Sequence, residues 1–208
     1  MQLSSANILN PVDHGLLVAA LTDVKNPAQK IKYLVATGEI KPVMRGWYLV
    51  NEALENYSLM YAANIFYGPS YVSRLTALSY LGWLTDVVIV QESVCFKRGK
   101  AIDNSIGRFV YYKQDCKTFH LGVNAMQQGP RITIRIASPT KALYDYLITE
   151  PNLVLTGKSN LFDFLENDLR FATERLHELD VPLLKELAKH GQKTRQIKIL
   201  IDLIESIR

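Results

Sequence analysis

Apolar and polar residues alternate along the chain with a period that switches between that of helices and that of strands. Leu16, Leu17 and Leu21 follow Asp13 and His14 at helical spacing, which predicts a short helix ending at Leu21. Val24 and Lys25 turn the chain. Asn26 suits an N-cap, Pro27 the first helical position and Gly38 a left-handed C-terminal cap, so residues 27–37 are expected to be helical. Residues 40–43 and 47–50 are β-branched or aromatic in large part and flank Met44-Arg45-Gly46, the pattern of a strand, a tight turn and a returning strand.

The next helix is expected over residues 52–66, with Leu54, Tyr57, Tyr61 and Ile65 on one face and Gly68-Pro69 closing it. Ser73 is placed to cap a helix running to Tyr80, which Gly82 ends. The period then shortens, and strands are predicted at 86–96, 108–112, 118–123 and 131–137, in the manner of an antiparallel sheet. Ser138 and Pro139 open a helix over 140–149 that Glu150-Pro151 breaks. The remainder reads as helical at 161–169, 171–179, 183–190 and 194–207, with Asp180 and Pro182 opening the third and Gly191 separating the last two.

A helix, a glycine and then a hairpin is the order in which a recognition helix leads into a wing. The expected fold class is therefore α+β: an N-terminal winged helix-turn-helix over residues 1–51, and a C-terminal α+β domain over 52–208 with an antiparallel sheet and a helical segment from about 152. In the helix of residues 27–37, Ala28, Ile31, Leu34 and Val35 project to one side, and Gln29, Lys30, Tyr33 and Thr37 to the other. Gln29 and Lys30 lie in its N-terminal half, where amide and ammonium groups meet base edges or phosphates of double-stranded DNA. Lys32 lies at the edge of the apolar face, and Lys41 and Arg45 belong to the hairpin, where a wing meets sugar and phosphate. The competing explanation is an ordinary solvated helix face.

Charge changes this picture only slightly. The formal net charge is +4, from 24 Lys and Arg against 20 Asp and Glu; residues 1–50 hold five basic and three acidic groups, and residues 151–208 nine of each. With 48% hydrophobic residues and no biased tract, a folded core is expected rather than disorder. Cys95 and Cys116 lack the spacing of a zinc site or a disulfide framework and are read as reduced. The start, Met1-Gln2-Leu3-Ser4, has no basic segment, and the apolar run 15–21 is too short to span a bilayer, so a cytoplasmic protein without membrane contact is expected.

Three stretches resemble the AbiEi family of antitoxins. The first is Leu34-Val35-Ala36-Thr37-Gly38-Glu39-Ile40 with Arg45-Gly46-Trp47-Tyr48; the second is Tyr71-Val72-Ser73 with Ala77-Leu78-Ser79-Tyr80-Leu81-Gly82. The third, Ile136-Ala137-Ser138-Pro139-Thr140-Lys141-Ala142-Leu143-Tyr144-Asp145, is similar to the family's Ala-x-Pro-Glu-Lys-Ala-Leu-x-Asp, with Thr140 where the family has Glu. The stretches keep the family's order across residues 34–145, and Leu183-Leu184-Lys185-Glu186-Leu187-Ala188 is also similar. The resemblance implies a DNA-binding antitoxin that represses its own toxin-antitoxin operon and counters a nucleotidyltransferase-like toxin. Separately from the resemblance, no cofactor is expected, and the sequence is compatible with a homodimer. The alternative is a protein-interaction module in which the winged helix is purely structural.

Signatures of catalysis are weak. Gly157-Lys158-Ser159 lacks the earlier glycine of a phosphate-binding loop, Asn152 standing in its place. Glu39-Ile40-Lys41 resembles the end of a nuclease motif without a preceding strand aspartate, and His14, His120, His177 and His190 have no ligand-spaced partners. Ser73 and Ser138 read as helix caps, and Lys141 with Asp145 as an i, i+4 ion pair. Tyr111 and Tyr112, beside Arg108 and Lys113, suggest a weaker alternative, a stacking platform for single strands. The chain is therefore expected not to be an enzyme.

Overall fold

The structure, a computed structural model, describes residues 9–21, 23–50 and 57–207. The first element is β1 (Val12–Asp13), followed by α1 (His14–Ala19), α2 (Pro27–Ala36), β2 (Ile40–Met44) and β3 (Trp47–Val50). Asp13 caps α1 by accepting from the Leu16 amide, and Asn26 caps α2 by accepting from the Gln29 amide at 3.1 Å. Gly38 has φ +76° just past α2, and Gly46 has φ +82° in the β2–β3 turn, so both use the left-handed freedom of glycine. β2 and β3 pair antiparallel with a bulge between Pro42 and Met44, and β1 pairs with the other edge of β3 to give the order β1-β3-β2. Pro42 is tolerated because β2 is an edge strand.

Val12, Leu17, Leu21, Ile31, Leu34, Ile40 and Val50 form a core of their own beneath α1 and α2. Each such side chain contributes about 1.5–3 kcal/mol when fully buried. Leu16 and Ala28, expected on the apolar faces, are exposed; Leu17 is the side chain that α1 buries. The small sheet uses both faces, because Val43 and Leu49 join the larger core and Trp47 meets Phe66 edge to face at 5.2 Å. The described residues before position 51 thus share packed surface with those after position 56.

The larger part contains α3 (Leu59–Phe66), β4 (Ser70–Val72), α4 (Arg74–Tyr80), β5 (Gln91–Cys95), β6 (Lys100–Asn104), β7 (Gly107–Lys113), α5 (Cys116–Phe119), β8 (Val123–Gln128), β9 (Ile132–Ala137) and α6 (Pro139–Thr149). After these come α7 (Lys158–Asp163), a π-helical turn (Phe164–Asp168), a 3₁₀ helix (Thr173–Glu178), α8 (Val181–His190) and α9 (Thr194–Ile207). The six strands are ordered β6-β7-β5-β4-β9-β8. The sheet is mixed rather than antiparallel: β4 runs parallel to β9, and β5 parallel to β7. The chain between β4 and β9 carries α4 and four strands, so the two meet in the same direction only after a long excursion.

Strand alternation sorts the helices onto opposite faces. Ser70 and Tyr111 donate to the Ala63 carbonyl of α3, whereas their neighbours Tyr71 and Tyr112 reach Asp145 of α6 and Glu92, which pairs with Arg74 of α4. α3 therefore covers one face, and α4 with α6 the other. On that second side, Leu184, Leu187, Ile197, Leu200, Ile201 and Ile204 of α8 and α9 close the core rather than forming a free groove.

Other expectations change in detail. The helix expected over 52–66 is seen as α3 with Ser58 as its cap, and residues 52–56, including Leu54, lie outside the described residues. The strand expected at 86–96 is shorter, and that at 118–123 is replaced by α5 and a turn, because Asp115 accepts from the Lys117 amide and starts a helix. β6 and β8 were not expected. Among the described residues no helix is long and apolar enough to cross a membrane.

Candidate functional site

Gln29, Lys32, Tyr33 and Thr37 of α2 and its C-cap are exposed, and Lys30 is half-buried. Ile31 and Leu34 turn inward at 3% and 2% exposure, which fixes the polar face outward. Lys30 Nζ lies 4.5 Å from the centre of the Tyr33 ring, a cation–π contact that holds the ammonium against the helix surface. The Thr37 hydroxyl has two acceptors in reach, the Leu34 carbonyl at 3.3 Å and Glu39 Oε1 at 3.0 Å. Lys41 and Arg45 are exposed on β2 and in the β2–β3 turn. Among the described residues none of Lys30, Lys32, Lys41 and Arg45 takes part in an ion pair. The seven predicted residues thus occupy one helix and the hairpin that follows it, with their cations uncompensated.

A second cluster, buried under α4 and α6, was legible in sequence only in part. Lys141 Nζ is 2.9 Å from Asp145 Oδ1, a charge contact lying off the direction of a hydrogen bond, and it also donates to Gln114 Oε1 at 3.1 Å. Ser73 donates to Asp145 Oδ2 at 2.6 Å. Its hydroxyl is therefore spent on α6 and does not cap α4, whereas Ser138 does cap α6 by accepting from the Lys141 amide. The Tyr71 hydroxyl sits 2.9 Å from Asp145 Oδ2 and 2.8 Å from Gln114 Oε1, so its single proton serves one acceptor at a time. Burial, reinforced by the Asp145 charge, pushes the Tyr71 phenol well up, while burial pulls the Lys141 ammonium down against the pull of Asp145.

Beside this cluster Arg74, only 2% exposed, has φ +53° at the first position of α4. Its Nε lies 3.3 Å from Glu92 and its Nη2 3.3 Å from Glu150, with Thr149 also in reach. Tyr112 and Tyr146 bracket the guanidinium at 3.7 and 4.8 Å. A non-glycine residue in this region persists only where its surroundings over-determine it, which two carboxylates and two rings do. The tyrosine pair does not form a platform: Tyr111 is buried at 2% exposure and Tyr112 is held by Arg74 and Glu92. No family model matches the chain, and no curated protein matches it either.

Proposed function

We propose that this chain is a DNA-binding antitoxin and transcriptional autorepressor of a toxin-antitoxin operon, in the manner of the AbiEi family that its sequence resembles. The observation that carries the reading is the juxtaposition of an outward face bearing Gln29, Lys30, Lys32, Tyr33 and Thr37 with a following hairpin bearing Lys41 and Arg45. In this reading residues 9–50 act as a winged helix: α2 enters the major groove, Gln29 and Lys30 reach base edges or phosphate, and the hairpin grips the backbone. The sheet order β1-β3-β2 with two helices on one side supports it. The functional partner is a nucleotidyltransferase-like toxin, and the site of action is the cytoplasm.

A gel-shift titration with the DNA upstream of its own gene against random DNA tests the proposal. The upstream fragment is expected to be preferred at moderate salt; equal affinity for both removes the repressor role. A protein-binding module is the second reading, favoured by Val87 and Ile89, which stand 88% and 86% exposed ahead of β5. That reading predicts no DNA preference at any salt.

A further inference from the structure

The end of the large sheet away from the hairpin carries a second group of exposed cations. β5 and β7 run parallel and finish there together, Cys95 opposite Lys113, and β6 starts beside them, Lys100 opposite Tyr111. Between β5 and β6 the chain turns through Phe96-Lys97-Arg98-Gly99. Gly99 brings the turn against β7, where a Cβ would lie 3.0 Å from the Tyr111 carbonyl oxygen. Tyr67 fixes it: its hydroxyl donates to the Arg98 carbonyl at 3.0 Å, and the Lys97 and Lys100 ammoniums stand 5.7 and 5.3 Å from its ring centre. Lys117 follows on α5, whose Phe119 meets the Phe96 ring edge to face at 5.3 Å. The hairpin touches the opposite end of β6, Met44 against Asn104, about 13 Å along the strand from Lys100.

Lys97, Arg98, Lys100, Lys113 and Lys117 are all exposed, and among the described residues none takes part in an ion pair. The segments 93–102 and 107–120 that build this rim hold one acid, Asp115, whose carboxylate accepts from the Lys117 amide as the cap of α5. Arg108, at the other end of β7, is paired with Asp103. The five cations exceed Asp115 by +4, as large as the formal net charge of the whole chain. An excess of that size without an internal counter-charge attracts a polyanion. In its midst Phe96 is 42% exposed. A single strand of nucleic acid meets both features, since its phosphates neutralise the cations and its unstacked bases offer a face to the ring. In a duplex the bases stack on one another and leave Phe96 without a partner. A bilayer needs a broad apolar face, and Phe96 is the one large hydrophobic side chain bared in this group. We propose that this rim binds single-stranded nucleic acid, its phosphates on Lys97, Arg98, Lys100, Lys113 and Lys117 and one base on Phe96. The surface is separate from α2 and the hairpin and does not depend on their role.

The test is fluorescence anisotropy of the full chain with labelled oligothymidylate and oligouridylate of about twelve nucleotides and with a duplex of equal length, beside sedimentation with phosphatidylserine–phosphatidylcholine vesicles. At low salt the better single strand is expected to bind with Kd on the order of 10 μM and a log–log salt slope of about −3, and its sugar identifies the source. In the Lys30→Ala, Arg45→Ala variant, which weakens the face of α2 and the hairpin, that strand should stay bound more tightly than the duplex by on the order of tenfold. Arg98→Gln with Lys113→Gln is expected to make the slope shallower by about 1.4. Phe96→Leu, which keeps an apolar contact for Phe119, should weaken binding about fivefold or more at an unchanged slope. The two charge substitutions lie on exposed side chains, so the test does not hinge on how Phe96→Leu folds. The proposal is overturned by absence of single-strand binding, by its loss in the Lys30→Ala, Arg45→Ala variant, by tighter binding of vesicles, or by rim variants with the parent chain's affinity and slope.

Discussion

Lys141 and Asp145 stand one helical turn apart on α6 and 2.9 Å from each other, with neither side chain exposed. On a helix surface such a pair is worth a few tenths of a kcal/mol. Here each partner stands in for the water the other has lost, and Asp145 also receives Ser73 and holds Tyr71 within reach. Asp145→Asn leaves the Lys141 ammonium buried without a counter-charge and is expected to cost about 3–5 kcal/mol in urea denaturation. A loss below about 1 kcal/mol would show that the pair does not join α6 to β4 and the N-terminus of α4.

Arg74 makes a different demand, because its guanidinium serves two carboxylates while lying between two rings. Lysine keeps the charge but not the planar fork or the stacking. Arg74→Lys is expected to lower stability by about 2–3 kcal/mol in the same assay, well beyond what a surface Arg→Lys exchange produces.

Alkaline pH acts on the same region. Burial raises Tyr71 and Tyr111, and it pushes Tyr144 up to about 12 from an ordinary 10.0. Above pH 10 the unfolded chain therefore loses phenolic protons that the folded chain retains, so stability falls as pH rises from 10 towards 12. Lys141 works in the opposite sense: its pKa is lowered from 10.5, and between that depressed value and 10.5 its contribution grows with pH. The phenols of Tyr61, Tyr112 and Tyr146 are raised by burial as well, so six phenols oppose one ammonium, and the urea midpoint should decline across this window. A flat midpoint from pH 10 to 12 would contradict the burial of these rings, and Tyr144→Phe should remove part of the slope.

The parts legible in sequence were those whose signals are local. Asn26, Pro27 and Gly38 punctuate α2 because capping and left-handed backbone depend on single residue types at fixed places, and Gly46 marks its turn for the same reason. β6 and β8 were hidden because Lys100–Asn104 and Val123–Gln128 are edge strands with few buried side chains and little alternation. The parallel pairings were beyond reach, since strand direction in the sheet depends on how the intervening chain packs and not on the strands' own residues. Ser73 fits the pattern of a cap, and only the arrival of Asp145 from 72 positions away shows where its hydroxyl goes. Gln114, Arg74 and Glu92 were missed because nothing in their neighbourhoods signals burial.

The DNA-binding account rests on the free cations of α2 and the hairpin, and a salt titration of operator binding by fluorescence anisotropy addresses it most directly. Lys30→Ala combined with Arg45→Ala removes two charges that face phosphate in this account. The log–log slope of affinity against salt should become shallower by about 0.9 for each phosphate left without its cation, and affinity at low salt should fall by about tenfold or more. A folded double variant with the parent chain's affinity and slope would contradict the account.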